Sequence, residues 1–370
     1  MKKLNIENIK KFNRFVLLSD IHFGVRSNSL EWIENIKDYF YNFFIPKFKQ
    51  ISEGRDTAII IAGDVFDNRQ NIDIDVMNSA QEIFEDILNI DKNVEIYCIA
   101  GNHDLYRKNK SDNKSRTSLN CLKMDRFNII LTETEVELQN GLKMLFVPWV
   151  GNSKTENEIV KKTSADIIIM HTDINGAVYD NGKPITNGVN LNLTTAKKIY
   201  SGHIHKRQES DRRIYIGTPY QTKRSDIGND KGLYYITLNE QYFYDTFIVN
   251  DYSPKFIRER LENLAELTAD DLSNVFNNNY VDIIIKDIYL KHLSIAKLMD
   301  ALKDFNYKKV EIIVDKVDKK MISDDFNFDS NISIDTYIEN HIKGMEGISD
   351  DDKKELLKIN SQYIKQYMND

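Results

Sequence analysis

Thr57-Ala58-Ile59-Ile60-Ile61-Ala62-Gly63-Asp64 is the stretch whose reading decides the fold. From Ala58 to Ala62 it is apolar without a break, the pattern of a strand covered on both faces. A glycine and a carboxylate follow at once. The same arrangement recurs outward along the chain. Asp20 and His22 close the run 14–19, and Gly101-Asn102-His103-Asp104 closes the run 94–100. His171 closes 166–170, and Gly202-His203-Ile204-His205 closes 197–201. In open α/β sheets the ligand crevice lies beyond the carboxyl ends of the strands, so these distant residues are expected to converge.

Helical spacing fills the gaps. Residues 30–45 carry Ile33, Ile36, Phe40 and Phe44 on one stripe, with Pro46 as the expected stop. Residues 75–88 repeat the pattern through Val76, Ala80, Ile83, Phe84 and Ile87. Further strands are expected at 142–150, 213–216, 232–238 and 241–249. Alternating strands and helices predict an α/β sheet, and the strand-rich later part predicts a second sheet packed on it. The character changes near Asp251. Residues 280–288, 294–305 and 309–317 read as strand, helix and strand, 323–330 as a linker, and 334–342 and 350–368 as helices. Ser349 with Asp352 makes a capping box.

Composition bounds the reading. The chain has 370 residues, 41% of them hydrophobic and 29% charged, which suits a globular protein with one large and one smaller domain. No apolar run is long enough to cross a bilayer, and residues 15–18 are too short a run for a signal peptide. Cys98 and Cys121 make no disulfide framework; Cys98 is expected as a small buried hydrophobe in a reducing compartment. A net charge of −7 disfavours indiscriminate nucleic-acid binding but leaves room for a local basic patch.

The strand-end residues make two ligand sets. Asp20, His22 and His205 suit a first divalent ion, and Asn102, His171 and His203 a second. Asp64, with two carboxylate oxygens, suits a bridge. Nitrogen and oxygen donors without thiolate favour Mn²⁺, Fe or Zn²⁺ over Mg²⁺, and two such divalent ions are the expected cofactor. His103, beside a ligand, is expected as the general acid or electrostatic stabiliser for a leaving oxygen, with Asp104 or Asp67 orienting its ring. Each motif alone is an ordinary turn or core residue. Their order, all at strand ends, is what points to a metal centre.

These motifs resemble the calcineurin-like metallophosphoesterases over residues 14–250. The resemblance narrows to the SbcD/Mre recombination-repair nucleases, and within them the phage recombination endonuclease branch. It is carried by Gly63-Asp64-Val65-Phe66-Asp67-Asn68-Arg69, Pro148-Trp149, Ser201-Gly202-His203-Ile204-His205 and Tyr215-Ile216-Gly217-Thr218-Pro219-Tyr220-Gln221. Asp67 stands where some members carry histidine. The resemblance implies an αββα sandwich of two sheets over residues 1–250, and a small α/β capping domain over 251–320. It implies a linker and helices over 321–370 that bind an SbcC/Rad-type coiled-coil ATPase. It also implies a homodimer, through early helices such as 75–88, and exonuclease and endonuclease action on DNA in recombination, repair or end processing. A phage-encoded member would work in the cytoplasm of its bacterial host. Rival readings are a phosphatase or small phosphodiesterase of the same superfamily, and a scaffold without turnover. The polar loop after Asp104 holds Lys108, Lys110, Lys114 and Arg116, the expected contacts to DNA phosphates. Lys206, Arg207, Lys223 and Arg224 are further candidates.

Overall fold

A computed structural model describes residues 6–53, 55–106, 116–239, 242–291, 293–315 and, toward the C-terminus, 342–343, 349, 351–354 and 356–358. The chain divides into two compact units, residues 1–316 and 317–370, each taken by itself. Lys108, Lys110, Lys114, most of the expected C-terminal helices, His292 and His341 lie outside the described residues.

The first unit is built on two six-stranded sheets. Strands β1 (Arg14–Leu18), β2 (Thr57–Ile61), β3 (Ile96–Ile99) and β4 (Phe127–Ile130) run parallel in that order. The second sheet has β5 (Thr134–Glu137), β6 (Lys143–Val147), β7 (Ile167–His171), β8 (Lys198–Gly202), β9 (Gln208–Glu209) and β10 (Arg213–Tyr215), ordered β5-β6-β7-β8-β10-β9. Strands β11 (Gly232–Asn239) and β12 (Tyr242–Val249) return antiparallel to finish the first sheet beside β1.

Side-chain alternation explains the layering. Phe15 and Leu17 of β1 and Ala58 and Ile60 of β2 join Phe146, Ile167, Ile169 and Ile214 in the core between the sheets. Val16, Leu18, Ile59 and Ile61 face the other way, against a helical layer that contributes Ile33, Phe40, Phe84 and Ile87. Every residue of β2 is buried, as its unbroken apolar run requires. On the far side Val147, Ile168 and Met170 pack on Val160. The result is the expected αββα sandwich. Cys98 is fully buried and, like Cys121, unpaired.

Pro46 does not end its helix. Helix α1 (Leu30–Asp38) passes through a π-helical stretch, Tyr39–Phe44, into α2 (Ile45–Ser52), which carries the proline in its first turn. A proline costs least where a new hydrogen-bond register begins, because its missing N–H is not called on there. Burial of Tyr39, Phe40, Phe43 and Phe44 holds the wider turn. Helix α3 (Ile74–Leu88) starts at Asp73, whose side chain accepts from the Asp75 amide.

A third sheet of three parallel strands follows: β13 (Phe256–Arg260), β14 (Tyr280–Lys286) and β15 (Lys309–Asp315). It has its own core around Phe276, Val281, Ile283 and Ile285. An aromatic stack fastens it to α1: Trp32 lies parallel to Tyr280 at 5.8 Å and to Phe256 at 6.3 Å, with the Arg26 guanidinium 5.0 Å above Trp32. Arg224 adds a partly buried ion pair to Asp282 at 2.8 Å. In the second unit, Ser349 accepts from the Asp352 amide and donates to its carboxylate, the capping arrangement read from the sequence. Among the described residues no helix is long and apolar enough to cross a membrane.

Candidate metal centre

The carboxyl ends of β1, β2, β3, β7 and β8 meet at one edge of the sandwich, and the seven expected ligands meet with them. The chain arrives there under strain. Asp20 (φ 53°), His22 (φ 53°), Asp64 (φ 52°) and His203 (φ 87°) all have left-handed backbone, which disfavours side chains and costs on the order of 1–3 kcal/mol each. Main-chain bonds hold it: the Asp20 amide donates to Gly63 O at 3.0 Å and the His22 amide to Asp64 O at 3.1 Å. Two glycines allow the close approach. A side chain at Gly63 (φ +91°) would run into the His171 ring and the Gly101 backbone, and one at Gly101 into the Asp64 carboxylate.

Two clusters share Asp64. In one, His22 Nε2 lies 2.9 Å from His205 Nε2 and 3.9 Å from Asp20 Oδ1. In the other, Asn102 Oδ1 lies 3.1 Å from His171 Nε2 and 2.7 Å from His203 Nδ1. Asp64 Oδ2 is 3.2 Å from His171 Nε2 and 3.9 Å from His22 Nε2, so one carboxylate oxygen faces both. Asp20, His22, Asp64 and His171 are each at most 1% exposed. Burying two carboxylates beside converging imidazole lone pairs is unfavourable unless protons or cations lie between them. The nitrogen and oxygen donor set therefore fits divalent ions of the Mn²⁺, Fe or Zn²⁺ kind.

Electrostatics without ions show the same demand. Burial pushes the Asp20 carboxyl up, and neighbouring Asp64 adds to this against His171 and His22. Burial also works to raise Asp64, yet His171, His22 and His103 hold it well below the usual carboxylate range. His171 is opposed by burial but lifted to about 9 by Asp64 and Asp20. Burial, then His22 and Lys223, drive His205 well below its ordinary value, keeping its ring neutral with a lone pair to give.

Outer partners orient the rings, a general feature of metal-ligating histidines. His171 Nδ1 meets Ala62 O at 2.7 Å, leaving Nε2 inward. His22 Nδ1 meets Asp67 Oδ1 at 3.2 Å. Asp173 Oδ1 lies 3.5 Å from His203 Nε2, and the other oxygen of that carboxylate, Oδ2, accepts from the Tyr179 hydroxyl at 3.0 Å. Asp173 and Tyr179 were not read from the sequence; an acidic residue two places after His171 was the available signal. Trp149 packs its ring 4.9 Å from that of His203.

The expectation for Asp104 is corrected. Its carboxylate does not touch His103. It accepts from the amides of Gly101 (2.9 Å), Val65 (3.0 Å) and Phe66 (3.2 Å), tying two ligand turns together from a fully buried position. The turn curls the carboxylate back on its own amides, and the His103 ring is met instead by the Asp67 carbonyl, 2.5 Å from Nδ1. The Asp67 side chain serves His22. The His103 amide donates to Asp64 Oδ1 at 2.8 Å.

Three further cations are committed within the chain. Arg224 binds Asp282 and Glu311, Lys223 binds Asp180, and Arg207 binds Glu209 and stacks 4.0 Å from the Phe247 ring. The partners of Arg224 and Lys223 lie more than 40 residues away, too far along the chain for local sequence to reveal. Arg116 is exposed at the stem of the basic loop, its carbonyl accepting from the Tyr106 amide at 3.1 Å.

Comparison with known proteins agrees with this geometry. Exonuclease subunit 1 of Enterobacteria phage T4 is 26% identical over 352 residues, covering 93% of this chain and 96% of that protein. This supports the resemblance to recombination nucleases read from the motifs. The family model for calcineurin-like phosphoesterases matches residues 13–207, a span that contains every candidate ligand from Asp20 to His205. With that match covering more than half of its length, the chain belongs to the calcineurin-like phosphoesterase family.

Proposed function

We propose that the chain is a Mn²⁺-dependent DNA phosphodiesterase, with exonuclease and endonuclease action, and the nuclease partner of an SbcC/Rad-type ATPase in DNA recombination, repair or end processing. The observation that carries the reading is the meeting of both ligand clusters on the buried carboxylate of Asp64. Asp20, His22 and His205 would hold one ion and Asn102, His171 and His203 the other, with the Asp64 carboxylate facing both sets. Bound there, two such ions activate water and offset charge on a phosphoryl group.

The protein's own groups do the rest. His22 and His171 present Nε2 inward because Asp67 and the Ala62 carbonyl occupy their Nδ1 sides. His103 Nδ1–H donates to the Asp67 carbonyl, so a proton it delivers to the departing 3′-oxygen leaves from Nε2. Asp67 thus serves two histidines, one through its side chain and one through its main chain. Asp104 acts by holding the turns.

Support for a DNA substrate and a partner comes from the similarity to a phage protein named as an exonuclease subunit. We assign residues 1–250 to the nuclease domain, 251–320 to a capping domain and 321–370 to a linker and helical ATPase-binding segment. Lys108, Lys110, Lys114 and Arg116 are assigned to the DNA backbone, and the chain is read as a homodimer in the cytoplasm of a bacterial host. The test is metal analysis with a nuclease assay. Two ions per chain and Mn²⁺-dependent cleavage of DNA, lost in Asp64→Asn, are expected. Turnover of a chromogenic phosphodiester but not of DNA would overturn the substrate assignment. Deleting residues 331–370 should leave Mn²⁺-dependent cleavage and abolish co-purification with the ATPase; retained co-purification refutes the partner assignment.

A further inference from the structure

The ligand histidines differ in how they are held. His22, His171 and His203 each have a protein group facing the ring nitrogen turned away from the cluster. His22 Nδ1 and His205 Nδ1 are both buried without a hydrogen-bond partner, but among the described residues a carboxylate oxygen lies near the first, Asp67 Oδ1 at 3.2 Å, and none near the second. His205 is held through its main chain. The Lys231 ammonium donates to His205 O at 2.6 Å, and the Thr218 amide donates to the same oxygen at 3.1 Å. The ammonium also meets Asp226 Oδ1 at 3.0 Å. Asp226 Oδ2 then accepts from the amides of Thr222 (2.9 Å) and Lys223 (3.2 Å). The chain of bonds continues, since the Arg26 guanidinium donates to Thr222 O at 3.0 Å.

The burial of this pair asks for an explanation. The side chains of Lys231 and Asp226 are 3% and 2% exposed. A buried ion pair is a poor source of stability, because desolvation cancels most of the attraction and apolar replacements often serve as well. What the pair does supply is direction: a fixed cation aimed at one carbonyl.

We propose that Lys231 and Asp226 are positioning residues for His205, fixing its main chain so that Nε2 stays aimed at His22 and the first ion. The proposal rests on reading His205 as a metal ligand. The test is Mn²⁺ titration calorimetry beside thermal unfolding in EDTA, on the full-length chain, Lys231→Met and the double variant Lys231→Met/Asp226→Asn, which leaves no buried charge unpaired. The double variant should unfold near the wild-type temperature in EDTA. One of the two ions should bind roughly 10–100-fold more weakly and the other as before. A folded variant that binds both ions with wild-type affinity overturns the proposal. So does a double variant that fails to fold, which would make the pair structural. A wild-type chain that binds fewer than two ions defeats the underlying metal reading, and the proposal falls with it.

Discussion

Removing the metal should leave a chain whose stability falls as pH rises through the alkaline range, and His171 sets the size of the fall. Its pKa is raised from an ordinary value near 6.5 to about 9: burial opposes the charge, but Asp64 and Asp20 outweigh it. A histidine raised in the folded state contributes stability that is fully present below the unfolded pKa and disappears as pH passes the folded one. The window is therefore about pH 6.5 to 9, and the displacement is worth about 3 kcal/mol. With an unfolding entropy of roughly 2.1 cal/mol/K per residue, a chain of 370 residues should lose about 4 °C in Tm. Scanning calorimetry in EDTA at steps across this range measures it, with His171→Gln to isolate the group. The wild-type-minus-variant difference should decline by about 3 kcal/mol from pH 6.5 to 9. In excess Mn²⁺ the trend should reverse, because protons then compete with the ion for the same ligands. At about 100 times Kd the ion should stabilise the fold by about 2.7 kcal/mol. A difference curve that stays flat in EDTA would refute the proton shared between His171 and Asp64.

Replacing His103 by Ala should lower kcat by roughly 10²–10⁴-fold while calorimetry still finds two Mn²⁺ ions; lost ion binding would show that His103 is a ligand. Asp104→Ala strips a fully buried acceptor from three amides, so denaturant titration should show a loss of about 3 kcal/mol or more; a loss under about 1 kcal/mol would contradict its assigned role. Trp32→Ala removes the centre of the stack that fastens the third sheet, at a cost of about 3–5 kcal/mol. Protease cleavage near residue 251 should speed up in that variant, and unchanged cleavage would show that other contacts dock the sheet.

Much of the nuclease layer was legible locally. β2 is apolar from end to end, and α3 has a regular stripe. The elements that were missed explain themselves. β5 buries only Val136, β13 has two apolar residues followed by three charged ones, and α4 (Ser153–Lys162) buries only Glu156 and Val160. None carries enough apolar density for a periodicity to stand out. Pro46 misled because a proline reads as a stop, whereas here it opens the segment after a π-helical turn.

The sequence by itself determined which chemistry sits at the strand ends, because a glycine, a carboxylate or an imidazole directly after an apolar run is a local fact. Tertiary structure decided who serves whom. Asp67 rather than Asp104 attends the histidines, Asp173, bonded by Tyr179, reaches His203, and Lys231 reaches the carbonyl of His205 from the next sheet. These pairings depend on strands folding over one another across tens of residues, and on left-handed backbone that only the assembled network sustains. No periodicity or spacing encodes either.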